Sequence, residues 1–481
     1  MIALRFQIGS ATGTRHSNGL TPRGRESKMR RFALPLALAA LVSACALPDS
    51  QKPASRAALA DASLPAAKAF SAPRPQPPQR ANRDIARDFL DLHFRLEGGT
   101  TLPVFTRFER PIRLRVAGTP SQGFQRDLTQ LLQRFKQEAG IDIQRVNSGP
   151  VEITVQAVSS RAIHRALPKA ACFVVPNVDS LAELRRKRRN PETNWSNLRH
   201  RERLAVFVPN DISPQEARDC LHEELAQAIG PLNDLYRLPD SVFNDDNVHT
   251  VLTGFDMLVL RATYAPELRT GMSRSEVAAK LPALLSRLNP AGDAIPPRAL
   301  PATSRSWIAA IETALGPGSA LNTRKRAANQ AVVLARELGW SDHRRAYSHY
   351  VLGRMIQAEE PDLAQRHFQT ALDFLSQTPD SALHQAIIRP RMAAYQIARG
   401  DGEAALQQIN PALPVASRHE NAALLATSLL IKAEALDLLG QFATAHTVRL
   451  DSLGWARYGF GPDWAVQAKI REVAELRPST N

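Results

Sequence analysis

The 481-residue chain contains only three cysteines, and aromatic residues make up 6% of it. So few cysteines exclude a disulfide-dense scaffold and a four-cysteine zinc knuckle. Long apolar runs are lacking as well. The clearest one, in "MRRFALPLALAALVSAC" from Met29 to Cys45, covers thirteen residues, where a membrane-spanning helix needs about 20. A second histidine is missing from "RDCLHEELAQAIGPLND", Arg218 to Asp234. Ala226 stands where the zinc-protease signature His-Glu-x-x-His would place its second ligand.

What is present is ordinary for a globular protein: 44% hydrophobic and 22% charged residues. The length predicts two or three domains. A net charge of +15 and a pI near 10.3 raise the question of nucleic acid, but the start of the chain argues against it. The segment from Met29 has a basic pair, an apolar stretch and small residues, the pattern of a secretion signal. Val42-Ser43-Ala44-Cys45 resembles the lipobox of bacterial lipoproteins, in which the cysteine is acylated after cleavage. Residues 1–28 then read as a start called too early, 29–44 as the signal peptide and Cys45 as the lipidation site. Cleavage before Cys45 removes seven basic residues and one acidic residue, leaving a formal charge of +9. A moderately basic envelope protein meets anionic lipid or cell-wall polymer rather than DNA. "RRKRR" at Arg185 to Arg189 is either such a contact or a solvated loop. The expected location is periplasm-facing and lipid-anchored. The absence of aspartate at Ala46 favours the outer membrane.

Residues 45–83 are rich in Ala, Pro and Ser and read as a disordered tether. Residues 84–290 alternate strand and helix signals. "PIRLRVAG", "IDIQRV", "VEITVQAV", "CFVVP" and "RLAVFVP" read as strands, with the amphipathic helix "FQRDLTQLLQRFKQEAG" after the first. Cys172 and Cys220 remain as an even pair in an oxidising compartment, bridged or buried as free thiols. A bridge would pin the motif helix to a strand, and it is the expectation.

The motif helix opens with Ser213 as N-cap, Pro214 at its first position and Glu216 completing a capping box. Glu224 falls inside its apolar arc, where a charge without a partner is costly. In the literal register His222 has no ligand partner. The register shifted by one, Glu223-Glu224-x-x-Gln227-x-x-Gly230-x-x-Asn233, has the spacing of His-Glu-x-x-His-x-x-Gly-x-x-His. Residues 223 and 227 sit one turn apart, and Gly230 would let the chain leave the helix sharply.

Downstream, Ser241-Val242-Phe243 resembles the tight turn of metzincin proteases, with Phe243 in place of methionine. Leu252-Thr253-Gly254-Phe255-Asp256, Leu260 and Tyr264 resemble the helix that follows it. The segment from about 105 to 270 therefore resembles a metzincin-type zincin, an α+β fold with a mixed sheet and an active-site-type helix. The whole chain more closely resembles the domain-of-unknown-function family 2927, secreted or lipid-anchored proteobacterial proteins, which implies no established activity. The metzincin resemblance implies that Glu224 is the general base if the site is active. It also implies that Glu223, Gln227 and Asn233 replace the three histidine ligands. One carboxylate with two amide oxygens is a weak zinc site and suits calcium, magnesium or manganese better. Asp234 and Asp245 offer further oxygens, as do Asp240, Asn244, Asp246 and Asn247, unless the loop is only held by local hydrogen bonds. His249 is a lone histidine, a ligand or a structural group.

The rest is helical, with residues 291–340 as bridging helices and 341–475 as an all-α repeat domain. "PDLAQRHFQTAL", "DGEAALQQI" and "GQFATAHTV" recur about every forty residues. Ala364-x-x-x-Phe368-x-x-Ala371 and Leu352-Gly353 resemble a tetratricopeptide repeat, which implies a concave face for an envelope protein or peptide. The expected function is that of an envelope lipoprotein whose zincin-like part is non-catalytic and used for binding or scaffolding. The alternatives are a metal-dependent peptidase or other envelope hydrolase with Glu224 as base, or a glycosidase with Glu224 as acid. No cofactor is assigned, and a divalent metal other than tightly bound zinc is compatible with the residues.

Overall fold

The computed structural model describes residues 64–70, 76–298 and 300–478; Cys45 and the signal segment lie outside the described residues. Strands form where apolar residues alternate or run unbroken: β1 (Ile112–Gly118), β2 (Ile143–Arg145), β3 (Ile153–Val158), β4 (Phe173–Pro176) and β5 (Leu204–Pro209). They make one sheet in the order β2-β1-β3-β5-β4, parallel except for β4 at its edge. β5 is buried along its whole length, because it pairs on both sides and is covered on both faces. Leu204, Val206 and Val208 face the larger core, while Ala205 and Phe207 face a smaller one with Ile163 and Leu181.

The first helices are α1 (Asn82–Phe94), α2 (Phe124–Ala139), α3 (Ser160–Ala166), α4 (Leu181–Lys187), α5 (Pro214–Ile229), α6 (Gly254–Thr263) and α7 (Arg274–Leu288). The larger core packs Leu128, Leu131 and Phe135 of α2 with Leu221 and Leu225 of α5 against the sheet. These are the apolar positions of two amphipathic helices, each burying its stripe. α3 and α4 carry Ile163 and Leu181 in the smaller core on the other face.

The remainder is helical: α8 (Arg305–Leu315), α9 (Leu321–Glu337), α10 (His343–Ile356), α11 (Pro361–Ser376), α12 (Ala382–Ala398), α13 (Gly402–Ile409), α14 (Ala412–Arg418), α15 (Ala422–Leu438), α16 (Phe442–Phe460) and α17 (Asp463–Ala474). Ala364, Phe368 and Ala371 are fully buried. A Cβ at Gly353 would sit 2.6 Å from the Phe368 ring, so α10 and α11 approach closely only because that position is glycine.

The α/β and helical parts belong to one compact unit and meet along a polar seam. Arg218 pairs with Glu420 at 3.0 Å, His384 with Asp246 at 2.9 Å, and Tyr458 donates to Asp127 at 2.8 Å. Part of the expected tether is not free. Leu64 is buried among Ala426, Leu453, Ala456 and Val466, and the Lys68 amide donates to the Gly454 carbonyl. Phe70 stacks on Trp455 with ring centroids 4.6 Å apart. Arg80 is buried between Asp88 and Asp240. The composition of this stretch is that of a tether, but its few apolar and charged anchors find grooves in the fold.

Candidate functional site

The motif helix α5 is fixed at both ends. Ser213 and Glu216 form the full capping box. At the other end the last carbonyls of a helix have no partner of their own and carry partial negative charge. Arg201 supplies both needs. Its guanidinium donates to the carbonyls of Gln227 and Ala228 at 2.7 Å, to that of Gly230, and to Thr106 Oγ1. Burial pulls the Arg201 pKa down to about 10, which leaves it charged at neutral pH. Nothing in the local sequence marks Arg201; only the topology brings it beneath the helix. Gly230 has φ of −145°, outside the left-handed region. It is required for a different reason than a sharp exit: a Cβ there would meet Leu260 at 2.7 Å.

The turn expected at residues 241–243 is tied to the start of α6. Asp256 accepts from Ser241 Oγ and from the amides of Val242 and Thr253. Phe243 is fully buried beneath. Asp256 is nonetheless pushed up to about 6, burial outweighing these hydrogen bonds.

His222 does not face the cleft chemistry. Its Nδ1 accepts the Leu252 amide at 3.1 Å, and burial, helped by Arg134 and Arg218, holds the imidazole neutral. The shifted register carries the polar face. Glu224 is 1% exposed, and its Oε2 has no hydrogen-bond partner. Gln227 is fully buried; its Nε2 donates to Asp234 at 3.3 Å while its Oε1 is unpartnered. Burial, then the Glu97 charge, raises Glu223 to about 7. Burial, then Glu223, raises Glu224 well above the usual range. Asp234 and Asp245 are raised in the same way, each by burial and then by Glu97 and Glu223.

Of these groups Asp234 and Asp245 line a cavity of about 240 Å³ between the α/β part and α8, together with Glu97, Tyr236, Arg305 and Glu312 among others. Arg305 is the only basic lining residue among the described residues. Glu97 and Glu312, distant in sequence from the motif and from each other, carried no signal that linear reading could use.

The other expected oxygen donors are engaged elsewhere. Asn233 gives its amide nitrogen to the Asp91 carbonyl on α1 and is not among the lining residues. Asp240 pairs with Arg80. Asn244 donates to the Leu238 carbonyl and to Asp246, and Asp246 in turn accepts from the Val248 amide and His384. Asn247 donates to the Asp245 carbonyl. His249 is bonded to the Pro239 carbonyl in the seam.

Cys172, just before the edge strand β4, and Cys220 on α5 form a disulfide. The Cys172 sulfur and one carboxylate oxygen each of Glu223 and Glu224 lie within 4.8 Å of one another. A bridged sulfur has no thiolate charge to offer a metal. Zinc, which the metzincin resemblance implies, wants imidazole or thiolate. With His222 committed to an amide and both sulfurs to the bridge, the residues present do not fit zinc.

Residues 82–283, from α1 into α7, match the family described as "Protein of unknown function (DUF2927)". Comparison with curated proteins and with solved structures gives no match.

Proposed function

We propose that this chain is an envelope lipoprotein in which a zincin-like but non-hydrolytic α/β part acts with a tetratricopeptide-like helical part as a binding or scaffold module. The observation that carries the reading is the donor set on α5 and just after it. All three positions of the metal-binding signature hold Glu223, Gln227 and Asn233, and the one nearby imidazole is spent on a backbone amide. A zincin mechanism needs an ion that lowers the pKa of its water, and these residues supply no ligands of the required kind. Supporting the zincin-like fold are the mixed sheet, the strand-helix-strand order before the motif helix, and the turn at Phe243. Close packing of Gly353 on Phe368, with Ala364 and Ala371 buried between helices, supports the repeat reading. The partner expected for the helical part is an envelope protein or peptide. On this reading Cys45 is the lipid anchor of a periplasm-facing chain, with which the disulfide of an oxidising compartment is in keeping.

A second reading, a hydrolase, is favoured by one observation. Glu224 is buried beside Glu223 on the motif helix, and burial, then the neighbouring charge, raises its carboxyl, with Glu223 itself raised to about 7, a carboxyl pair of the kind acid–base chemistry uses. One experiment separates the two. Metal analysis of tag-free protein and the envelope phenotype of Glu224→Gln are measured together, with Cys45→Ser scored for membrane release. The binding reading expects no stoichiometric zinc, a folded Glu224→Gln protein that still complements, and release of Cys45→Ser from the membrane. Bound zinc that survives dialysis, with loss of function in folded Glu224→Gln, establishes the hydrolase instead. Cys45→Ser retained on the membrane at mature size removes the lipoprotein part.

A further inference from the structure

We infer that the cavity between the α/β part and α8 is a pocket for a guanidinium group, presented as an arginine side chain by a partner peptide. The pocket and the group it takes stand apart from the proposed function; only the peptide as the source of that group rests on the binding reading.

Four carboxylates, Glu97, Asp234, Asp245 and Glu312, line this space of about 240 Å³. Arg305 does not answer them. It is exposed, and its guanidinium rests over the Gly98–Gly99 turn, where a Cβ on Gly99 would sit 2.8 Å from it. Among the described residues no ion pair joins it to Asp234, Asp245 or Glu312. Two buried groups of the lining are left unpartnered. Tyr236 is 4% exposed and its hydroxyl has no partner. Burial, then Asp245, holds that hydroxyl well above its usual range, with Tyr347, Asp246 and Glu312 adding, so it lies towards carboxylates of the cavity. Asp234 gives one oxygen to the Gln227 amide, and its other oxygen is buried without a partner. Buried polar atoms are almost always paired. Both of these can accept, and acids surround them, so the partner they lack is a cationic donor.

The shape of that cation follows from how the acids are spread. A metal ion or a primary ammonium draws its acceptors towards one point. Among the described residues no three of the lining carboxylates bring an oxygen each within 4.8 Å of one another; the trio that does converge, Cys172 with Glu223 and Glu224, is not part of the lining. A guanidinium carries five N–H donors around a flat rim and reaches acceptors on opposite sides. It also keeps its charge when buried, where a lysine ammonium readily gives it up. Burial, then Glu97, raises Asp234 and Asp245, a cost of gathered like charge that a permanent cation offsets. The Tyr236 ring and Ile308 form the apolar part of the lining and suit the flat face and the methylene stem of arginine. The volume lies below the roughly 300 Å³ at which pockets for drug-sized ligands begin. It holds one side chain.

The test uses the whole chain and N-acetyl-arginine amide, whose only charge is the guanidinium. Binding is followed by calorimetry and by the fluorescence of Trp307, whose ring centroid lies 5.1 Å from that of Tyr236. Saturation is expected by about 10 mM. N-acetyl-lysine amide should bind about fivefold more weakly or worse. Free arginine should also bind more weakly, because its own carboxylate meets the acids. Calcium chloride should compete no better than sodium chloride of equal ionic strength. Asp245→Asn combined with Glu312→Gln removes two acceptor charges and their repulsion without changing shape. That variant should fold, melt no lower than the parent, and bind the arginine amide about tenfold more weakly or worse. The assignment is overturned by the absence of saturable binding, by unchanged affinity in the double variant, or by a lysine amide that binds as well. Tighter binding of free arginine would replace the peptide with an amino-acid ligand, and displacement by calcium would show that the acids await a point charge.

Discussion

Asp245 and Asp246 are neighbours in the chain and opposites in the fold. Asp245 faces the cavity among other carboxylates, and its pKa is raised by burial and their charges. Asp246 points into the seam, where an amide, an asparagine and a histidine all donate to it. The regions around them differ in the same way. On the cleft side, acids of one sign are collected and three of their buried oxygens or amide neighbours lack donors. On the seam side, His249, His343 and His384 reach the Pro239 carbonyl, the Tyr236 carbonyl and Asp246, with the His419 ring edge-on to His249. Both regions concentrate buried titratable groups. Unpartnered buried atoms occur in both, at the seam on His343 Nδ1, His384 Nδ1 and Glu420 Oε1; what separates the two is that the seam sets acids against histidines and arginine, while the cleft gathers acids around a cavity.

The largest expected effect tests whether the cleft is a separately held region. Replacing both Cys172 and Cys220 with serine should cost about 2–4 kcal/mol, as for loss of a bridge closing a loop of this order, read by urea unfolding in EDTA. Amide exchange should rise in β4 and α5 while α12 and α14 at the seam keep their protection. Equal loosening on both sides would erase the distinction. Next comes the aspartate pair. Asp246→Asn should destabilise by about 2–3 kcal/mol, because an NH₂ group then confronts existing donors. Asp245→Asn should stabilise the protein by about 1 kcal/mol through relief of like charge. The same chemistry one residue apart should thus give opposite signs, and two losses of similar size would break the comparison.

The smallest effect is the pH profile of stability. Glu223, raised from 4.5 to about 7, contributes stability that is complete below its unfolded value and is lost as pH climbs through 7. His249 and His343, lowered to about 4, and His419, lowered to about 3, contribute stability present above 6.5 and lost as pH falls through those values. All three are depressed first by burial. Between pH 4.5 and 6.5 the three histidines together outweigh the one glutamate, so the melting temperature should rise from about pH 4 and level off above about pH 7. Glu223→Gln should steepen that rise, and an unchanged slope would show that Glu223 does not titrate as described.

Much of this was legible in the sequence, for identifiable reasons. Strand alternation, the capping box at Ser213 and the inward position of Glu224 are local patterns with local causes. Arg201, Glu97 and Glu312 were not legible, because each acts through a contact set only by the tertiary fold. The role of Gly230 was misjudged because a glycine at a helix end has two uses, freedom of φ and absence of a Cβ, and only the neighbour Leu260 reveals which applies. The aspartate-rich loop showed its composition but not its partition, since alternate residues turn to opposite sides.

The docking of Leu64, Lys68 and Phe70 onto α15 and α16 bears on how the molecule can be cut and carried. A fragment begun at residue 84, where strand and helix signals start, would expose Trp455, the backbone of Gly454 and the pocket of Leu64. It would gain a sticky face that the whole chain does not have. The same contact shortens the leash. If Cys45 is the anchor, only the nineteen residues from it to Leu64 separate the membrane from the body, at most about 65 Å of extended chain.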